Sequence, residues 1–128
     1  MKFIKFIAVL SIVLFTLLYA QSLNEHTMDC DAGSAEACYQ AGEIYSSQAH
    51  KEKNYDKKKV AHDVATLYKK SCELGYAKGC TAYAMSYAAD REKDANKDLE
   101  YYFKKACDAG DQTGCTMLHM MIYTQSEK

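Results

Sequence analysis

The spacing of the cysteines constrains this chain more than any other sequence feature. Its six cysteines form three units, and within each unit the second cysteine follows the first by eight residues. The units are Cys30 with Cys38, Cys72 with Cys80, and Cys107 with Cys115. The second and third units are also alike around the cysteines, since two lysines precede the first cysteine in both. The rest of the sequence is therefore interpreted as the segments that these units connect.

Each unit predicts a junction between two helices. The residues before the first cysteine are good helix formers, and a glycine that follows can adopt the left-handed conformation that ends a helix. Such a glycine stands three residues after the first cysteine in every unit, at Gly33, Gly75 and Gly110. Lysines in the last turn, such as Lys69 and Lys70, suit the negative end of the helix dipole. We therefore expect the two cysteines of a unit to lie at the facing ends of consecutive helices.

This arrangement favours a disulfide within each unit. Facing helix ends can bring two α-carbons within the roughly 4.4–6.8 Å that a disulfide requires. Zinc is the alternative, because cysteine pairs also bind this metal, but zinc sites usually separate their cysteines by about two to four residues. We predict the disulfides Cys30–Cys38, Cys72–Cys80 and Cys107–Cys115, with no metal site and no cofactor.

The N-terminal segment is typical of an export signal. Lys2 and Lys5 precede an apolar stretch from Phe6 to Leu18, and Ala20 offers a small residue for cleavage. We predict a signal peptide over residues 1–20 and a secreted or periplasmic mature chain that is not inserted in the membrane. An uncleaved membrane anchor is the alternative. Export agrees with the predicted disulfides, because disulfides persist in oxidising compartments.

The remaining residues, 21–128, have the length and composition of one helical domain. The sequence contains no proline and only 6 glycines, so it has few residues that break helices. Its 16 basic and 17 acidic residues give a formal net charge of −1. Such a balance provides no basic surface for a nucleic acid. We predict an all-α fold without a nucleic-acid partner.

The helical pattern itself repeats between the units. Counting back from the first cysteine, the second and third units match at four core positions, namely Val64 with Leu99, Leu67 with Tyr102, Tyr68 with Phe103, and Ser71 with Ala106. After the second cysteine, small or apolar residues recur with helical spacing, as at Ala41, Gly42 and Tyr45. A helix pair that recurs after 35 residues is typical of an α/α solenoid. We predict about two full helix pairs with a half-repeat at each end.

These motifs resemble the Sel1-like repeat group, and within it the Helicobacter cysteine-rich proteins. The matching elements are Lys69–Cys72 with Gly75 and Gly79–Cys80, and Lys104–Cys107 with Gly110 and Gly114–Cys115. The resemblance covers Cys30 to Tyr123 and implies a TPR-like superhelix of disulfide-stapled helix pairs. The chain departs from the pattern at Ala37, where the other units have glycine, and at His119, where the other helices have a small residue.

The first functional hypothesis is a binding module. Stacked helix pairs form a concave surface on which a peptide or a partner protein can lie. Polar and aromatic residues off the core stripe are the candidate lining residues, namely Tyr39, Glu43, Thr81, Ser86 and Thr116. The alternative for each of them is an ordinary solvated position on a helix.

The second hypothesis is enzymatic and comes from the resemblance alone. The resembled group implies a weak β-lactamase or a penicillin-binding protein, and therefore a β-lactam or another ligand related to the cell wall. The residues themselves provide no support, because no serine is followed three residues later by lysine, as a serine β-lactamase requires. The four histidines are scattered over different segments, so no metallo-enzyme site and no catalytic residue is identified.

A stretch rich in methionine and histidine, residues 117–121, also raises the question of a copper site. Side chains on a single helix point in different directions and cannot enclose a metal by themselves. We therefore interpret Leu118, Met121 and Ile122 as core residues and their neighbours as surface.

Overall fold

The computed structural model describes the backbone of residues 1–89 and 95–127, and all regular structure within these ranges is α-helical. Side chains are described in the same ranges except at residues 16–21, 88–89 and 95–97. The helices are α1 (Lys2–Asp31), α2 (Ala35–Ala49), α3 (Lys57–Glu73), α4 (Ala77–Ala89), α5 (Ala95–Asp108) and α6 (Gln112–Ser126). The prediction of an all-α fold is confirmed.

The three cysteine units form the same tight turn between two helices. At the end of α3, the N–H of Gly75 donates to the carbonyl of Cys72 at 3.0 Å, and the N–H of Tyr76 donates to the carbonyl of Ser71 at 3.1 Å. This pair of bonds satisfies carbonyls that a helix end otherwise leaves without partners. Gly75 has a φ of 96°, which favours glycine. The same pair of bonds and a glycine of positive φ end α1 and α5.

A disulfide spans each of these turns. The bonds Cys30–Cys38, Cys72–Cys80 and Cys107–Cys115 have S–S distances of 2.02, 2.06 and 1.98 Å and Cα separations of 4.5, 4.4 and 4.4 Å. They join α1 to α2, α3 to α4, and α5 to α6. The predicted disulfides are therefore present. None of the six cysteines is left as a thiol that could bind zinc.

The helices are arranged in a row. Consecutive helices pack against each other, and in addition α2 contacts α4 and α4 contacts α6. The helices that carry the second cysteine of a unit near their N-terminus, α2, α4 and α6, are therefore neighbours along the row.

The core follows the same order along the chain. One cluster between α2 and α3 contains Ala49, Val60, Val64 and Tyr68, and a second between α4 and α5 contains Ala84, Leu99 and Phe103. Six of the eight core positions matched between α3 and α5 in the sequence are buried. The other two, Leu67 and Tyr102, are partly exposed and pack against neighbouring clusters. Helical periodicity thus identified the inward faces of both helices.

Glycine allows close packing inside the helix pairs. A Cβ at Gly79 would overlap the Oγ of Ser71 and lie 2.6 Å from its Cβ. In the next pair, a Cβ at Gly114 would lie 2.6 Å from the Cβ of Ala106. In the second and third units, the glycine before the second cysteine therefore allows close contact with the preceding helix.

The N-terminal part of α1 is exposed. Phe3 is 85% exposed, and the apolar side chains of Ile4 and Phe6 are also open to solvent. The helix continues through the predicted cut after Ala20, around which the side chains lie outside the described residues. Within the described part of the chain, no helix is long and apolar enough to cross a membrane. The signal peptide remains a prediction.

Helix α6 packs through a different set of residues from the one expected. Met117, Leu118 and Met121 pack against the cluster between α4 and α5, whereas Ile122 is 51% exposed. The expectation that Ile122 is a core residue is therefore wrong, and Met117 packs inward instead. The reason is that α6 packs on α4 and α5, and the position of these two helices decides which of its apolar residues turn inward.

Candidate recognition face

Equivalent positions of α2, α4 and α6 define one surface of the molecule, which we call the recognition face. Its residues stand one and five positions after the second cysteine of each unit, namely Tyr39, Glu43, Thr81, Met85, Thr116 and Met120. Residues four apart lie on the same side of a helix, and the three helices contact each other in order. The face therefore runs across the row, with α2 at one end and α6 at the other.

Three tyrosines and a glutamate lie together at the α2 end. The ring centroid of Tyr39 lies 5.7 Å from that of Tyr68 and 5.5 Å from that of Tyr76. The buried Tyr68 donates its hydroxyl to Oε1 of Glu43. Gly42 makes room for this arrangement, because a Cβ at that position would lie 2.6 Å from the Tyr68 ring. Tyr68 of helix α3 thus contacts both Tyr39 and Glu43 and holds them in position.

Tyr76 occupies a position that caps a helix in the other two junctions. The equivalent residues are Ser34 and Asp111, each of which accepts a backbone N–H of the helix that follows, at 3.3 Å. A tyrosine hydroxyl is too far from its own backbone to cap in this way. Its ring contacts Tyr39 instead. Departures from a local rule are expected at functional or strained sites, which makes Tyr76 a candidate functional residue.

The α2 end of the face is negative. Burial is the main reason why the pKa of Tyr39 is raised, and the charges of Glu43, and more weakly Asp111, add to the effect. Burial, followed by the bond to Glu43, raises the pKa of Tyr68. Both phenols are therefore neutral at neutral pH. Lys78 stands three residues before Thr81 on α4 and is exposed.

The two threonines of the face have different environments. Thr81 is only 5% exposed and donates its hydroxyl to Oδ2 of Asp111, the oxygen that also accepts the N–H of Gly114. Thr81 therefore holds α6 against α4 and does not offer a free hydroxyl. Thr116 is exposed, and its hydroxyl donates to the carbonyl of Gln112 at 3.0 Å.

Ser86, the remaining predicted lining residue, does not belong to this face. It lies in a cleft of about 380 Å³ between α3 and α4, which is lined by Ala61, His62, Ala65, Thr66, Lys69, Tyr83, Ser86 and Tyr87. Its hydroxyl donates to the carbonyl of Ala82 at 2.8 Å. The structure thus brings Tyr39, Glu43, Thr81 and Thr116 to one face and Ser86 to a separate cleft.

Two residues of the face region, Tyr76 and Asp111, are not among those predicted from the sequence. A signal for both was present, because they and Ser34 stand four residues after the first cysteine of their units. Of these three positions, Ser34 and Asp111 carry residue types that commonly cap helices, whereas Tyr76 is aromatic. Only the structure, however, shows that Tyr76 contacts Tyr39 and that Asp111 contacts Thr81.

No metal centre is suggested by the described residues, among which no group of three histidine, cysteine, aspartate or glutamate side chains is close enough to hold an ion. Neither models of protein families, nor curated proteins, nor solved structures give a match to this chain. The function is therefore argued from the recognition face and from the cleft.

Proposed function

We propose that this protein is a recognition module that binds a segment of a partner protein on the recognition face. The observation that carries the proposal is the contact of Tyr76 with Tyr39, because the equivalent junctions have a helix cap at this position. Partly buried tyrosines offer a rigid surface with an apolar body and a polar tip, which is suited to protein partners. The neighbouring Glu43 adds a charge that can select among partners.

We further propose that the helices form part of an α/α solenoid of the Sel1-like type. Support comes from the junction, which recurs three times with the same turn and disulfide. The contacts of α2 with α4 and of α4 with α6 are a second argument. In a solenoid, one helix of each pair lines the concave surface. In this proposal those helices are α2, α4 and α6, and the recognition face is the concave surface.

We also propose that the module acts after export. Its three disulfides fit an oxidising compartment, and the side chains of residues 1–15, among them Phe3, Ile4 and Phe6, are exposed and add nothing to the buried core. The intact mass of the chain recovered from the cell envelope and from the medium tests this. A mature chain that begins at Gln21 supports the signal peptide, and a chain retained from Met1 contradicts it.

The test of the recognition role is affinity capture with a matched control. Oxidised protein is immobilised and exposed to an extract of the cell envelope, in the wild-type form, as the double variant Tyr39→Leu/Glu43→Gln, and as Glu52→Gln. The last variant removes a carboxylate from the exposed loop between α2 and α3. We expect the wild type and Glu52→Gln to retain the same partner, identified by mass spectrometry, and the double variant to lose it. If the folded double variant retains this partner, the recognition face is not its binding site.

Hydrolysis of a β-lactam that binds in the cleft between α3 and α4 is the second candidate. His62, Lys69 and Ser86 line this one cleft, so a cation that suits a carboxylate lies near a hydroxyl. The cleft volume of about 380 Å³ falls within the usual range for small-molecule sites. This candidate ranks second because Ser86 donates its hydroxyl hydrogen to the carbonyl of Ala82.

Turnover of the chromogenic β-lactam nitrocefin tests the second candidate. Hydrolysis by the oxidised wild type that Ser86→Ala abolishes would support a reaction in the cleft. An equal rate for both proteins, or no turnover at micromolar protein, would remove it.

A further inference from the structure

The recognition face changes in chemical character from one end to the other. The position five residues after the second cysteine is Glu43 in α2, Met85 in α4 and Met120 in α6. The two methionines are 51% and 52% exposed, so their apolar side chains are available to a partner. Thioethers are polarisable and adapt to apolar side chains of different shape. The face therefore has an acidic, aromatic end and an apolar end.

The α2 end has the chemistry of a cation site. Tyr39 and Tyr76 offer aromatic rings next to the exposed carboxylate of Glu43. One oxygen of this carboxylate already accepts the Tyr68 hydroxyl, which fixes its direction and leaves the second oxygen for a ligand. A lysine or arginine side chain close to a tyrosine ring is attracted by the ring quadrupole, and a neighbouring carboxylate adds to this attraction.

The spacing of the helices limits the conformation of the ligand. Packed helices are typically separated by about 8–10 Å. Because α2 contacts α4 and α4 contacts α6, we expect their equivalent side chains to recur at about this interval. In a polyproline II segment, residues i, i+3 and i+6 lie on one side at intervals of about 9.3 Å, because the rise is about 3.1 Å per residue with three residues per turn. In a β-strand, residues i and i+3 point to opposite sides. Among extended segments, the polyproline II conformation therefore matches the row.

We propose that the recognition face binds a polyproline II segment of a partner protein with the pattern basic–x–x–apolar–x–x–apolar. The basic side chain lies at Tyr39, Tyr76 and Glu43, and the two apolar side chains lie on Met85 and Met120. This inference rests on the proposed recognition role and adds the chemistry of the partner, its direction along the row and its conformation.

The probe is a fluorescently labelled, N-acetylated peptide of sequence Lys-Pro-Pro-Leu-Pro-Pro-Leu, and its binding is followed by fluorescence polarisation. One control peptide carries glutamate in place of lysine, and a second has the same composition with the lysine and leucines adjacent. We expect the lysine peptide to bind more tightly than both controls. Glu43→Gln keeps an oxygen acceptor for Tyr68 and removes the charge, and Tyr39→Leu keeps an apolar side chain and removes the ring. Each should weaken binding about tenfold, whereas Glu52→Gln should have no effect.

The outcomes separate this inference from the recognition role. Equal affinity for the lysine and glutamate peptides, or an unchanged affinity in folded Glu43→Gln, overturns the inference. A second outcome also overturns the inference: no peptide binds, but the double variant still fails to capture the envelope partner. In that case the recognition role stands. If capture of the envelope partner does not depend on the face, the recognition role itself fails. Circular dichroism of each variant establishes that the helices are retained.

Discussion

Gly79 allows the first turn of α4 to approach the last turn of α3. An alanine at position 79 would place its methyl group against Ser71. Ser71 is completely buried and donates its hydroxyl to the carbonyl of Ala35 at 2.7 Å. Ser71 therefore cannot move aside without breaking a buried hydrogen bond. At this position a single methyl group has a structural consequence.

We predict that Gly79→Ala lowers the free energy of unfolding by about 1–3 kcal/mol, the usual effect of overpacking a core. Urea denaturation followed by circular dichroism measures the change. Met85→Ala, at an exposed position of the same helix, is the control and should have little effect on stability. Equal stability of Gly79→Ala and the wild type would show that the two helices separate easily.

Tyr68 makes stability depend on pH in the alkaline range. Its pKa is raised in the folded protein, mainly by burial and further by the bond to Glu43. The unfolded chain releases this proton near pH 10, whereas the folded chain keeps it, so the folded state binds more protons above about pH 10. The stabilisation is therefore complete below about pH 10 and is lost as the pH rises further.

We predict that the difference in melting temperature between the wild type and Tyr68→Phe decreases between about pH 8 and about pH 11. Thermal unfolding at a series of pH values measures it, and the phenylalanine variant corrects for the other tyrosines. Parallel curves for the two proteins would mean that Tyr68 does not keep its proton in the folded state.

At the level of the helices, two N-terminal caps of the same residue type perform different tasks. Asp56 caps α3 by accepting the N–H groups of Lys58 and Lys59, both at 3.0 Å. Asp111 caps α6 and also accepts the buried hydroxyl of Thr81 from the neighbouring α4. The first aspartate serves one helix, and the second joins two.

We predict that Asp111→Ala destabilises the protein more than Asp56→Ala. Loss of a cap costs about 0.5–2 kcal/mol, and a buried hydroxyl left without its partner costs about 1–3 kcal/mol in addition. Chemical denaturation of both variants gives the comparison. The double variant Asp111→Ala/Thr81→Val tests the reason, because it removes both partners and should recover part of the loss. Equal effects of the two single variants would mean that the bond between α4 and α6 contributes nothing.

For the molecule as a whole, the row arrangement makes the disulfides important. Each helix packs mainly on its neighbours in the chain, so the described residues form a series of local clusters and not one central core. Each disulfide closes a short loop and is expected to contribute about 2–3 kcal/mol in the loop-entropy model. Three such contributions are comparable to the whole net stability of about 5–15 kcal/mol that is typical of small proteins.

We predict that reduction by dithiothreitol strongly lowers the melting temperature and weakens the helical circular dichroism signal. The melting temperature of the double variant Cys72→Ser/Cys80→Ser should lie between those of the oxidised and the fully reduced wild type. Thiol titration establishes the state of the cysteines in each sample. An unchanged melting point in a fully reduced sample would show that packing alone maintains the row.

The sequence by itself determined the local structure of this protein. The helix ends at Gly75 and Gly110, the three disulfides and the buried faces of α3 and α5 could all be predicted, because each depends on residues within one or two helical turns. A left-handed glycine, a cysteine spacing and a helical period have the same meaning in any chain.

Only the tertiary structure decided which of these local features meet. The ring contact of Tyr39 with Tyr76, the bond from Thr81 to Asp111, and the exposure of Ile122 depend on how separate helices pack. Ser86 illustrates the same limit, since a helix position alone did not reveal that it faces the cleft between α3 and α4. Such contacts join residues about one repeat apart, and their geometry follows from the position of whole helices, which no local pattern encodes.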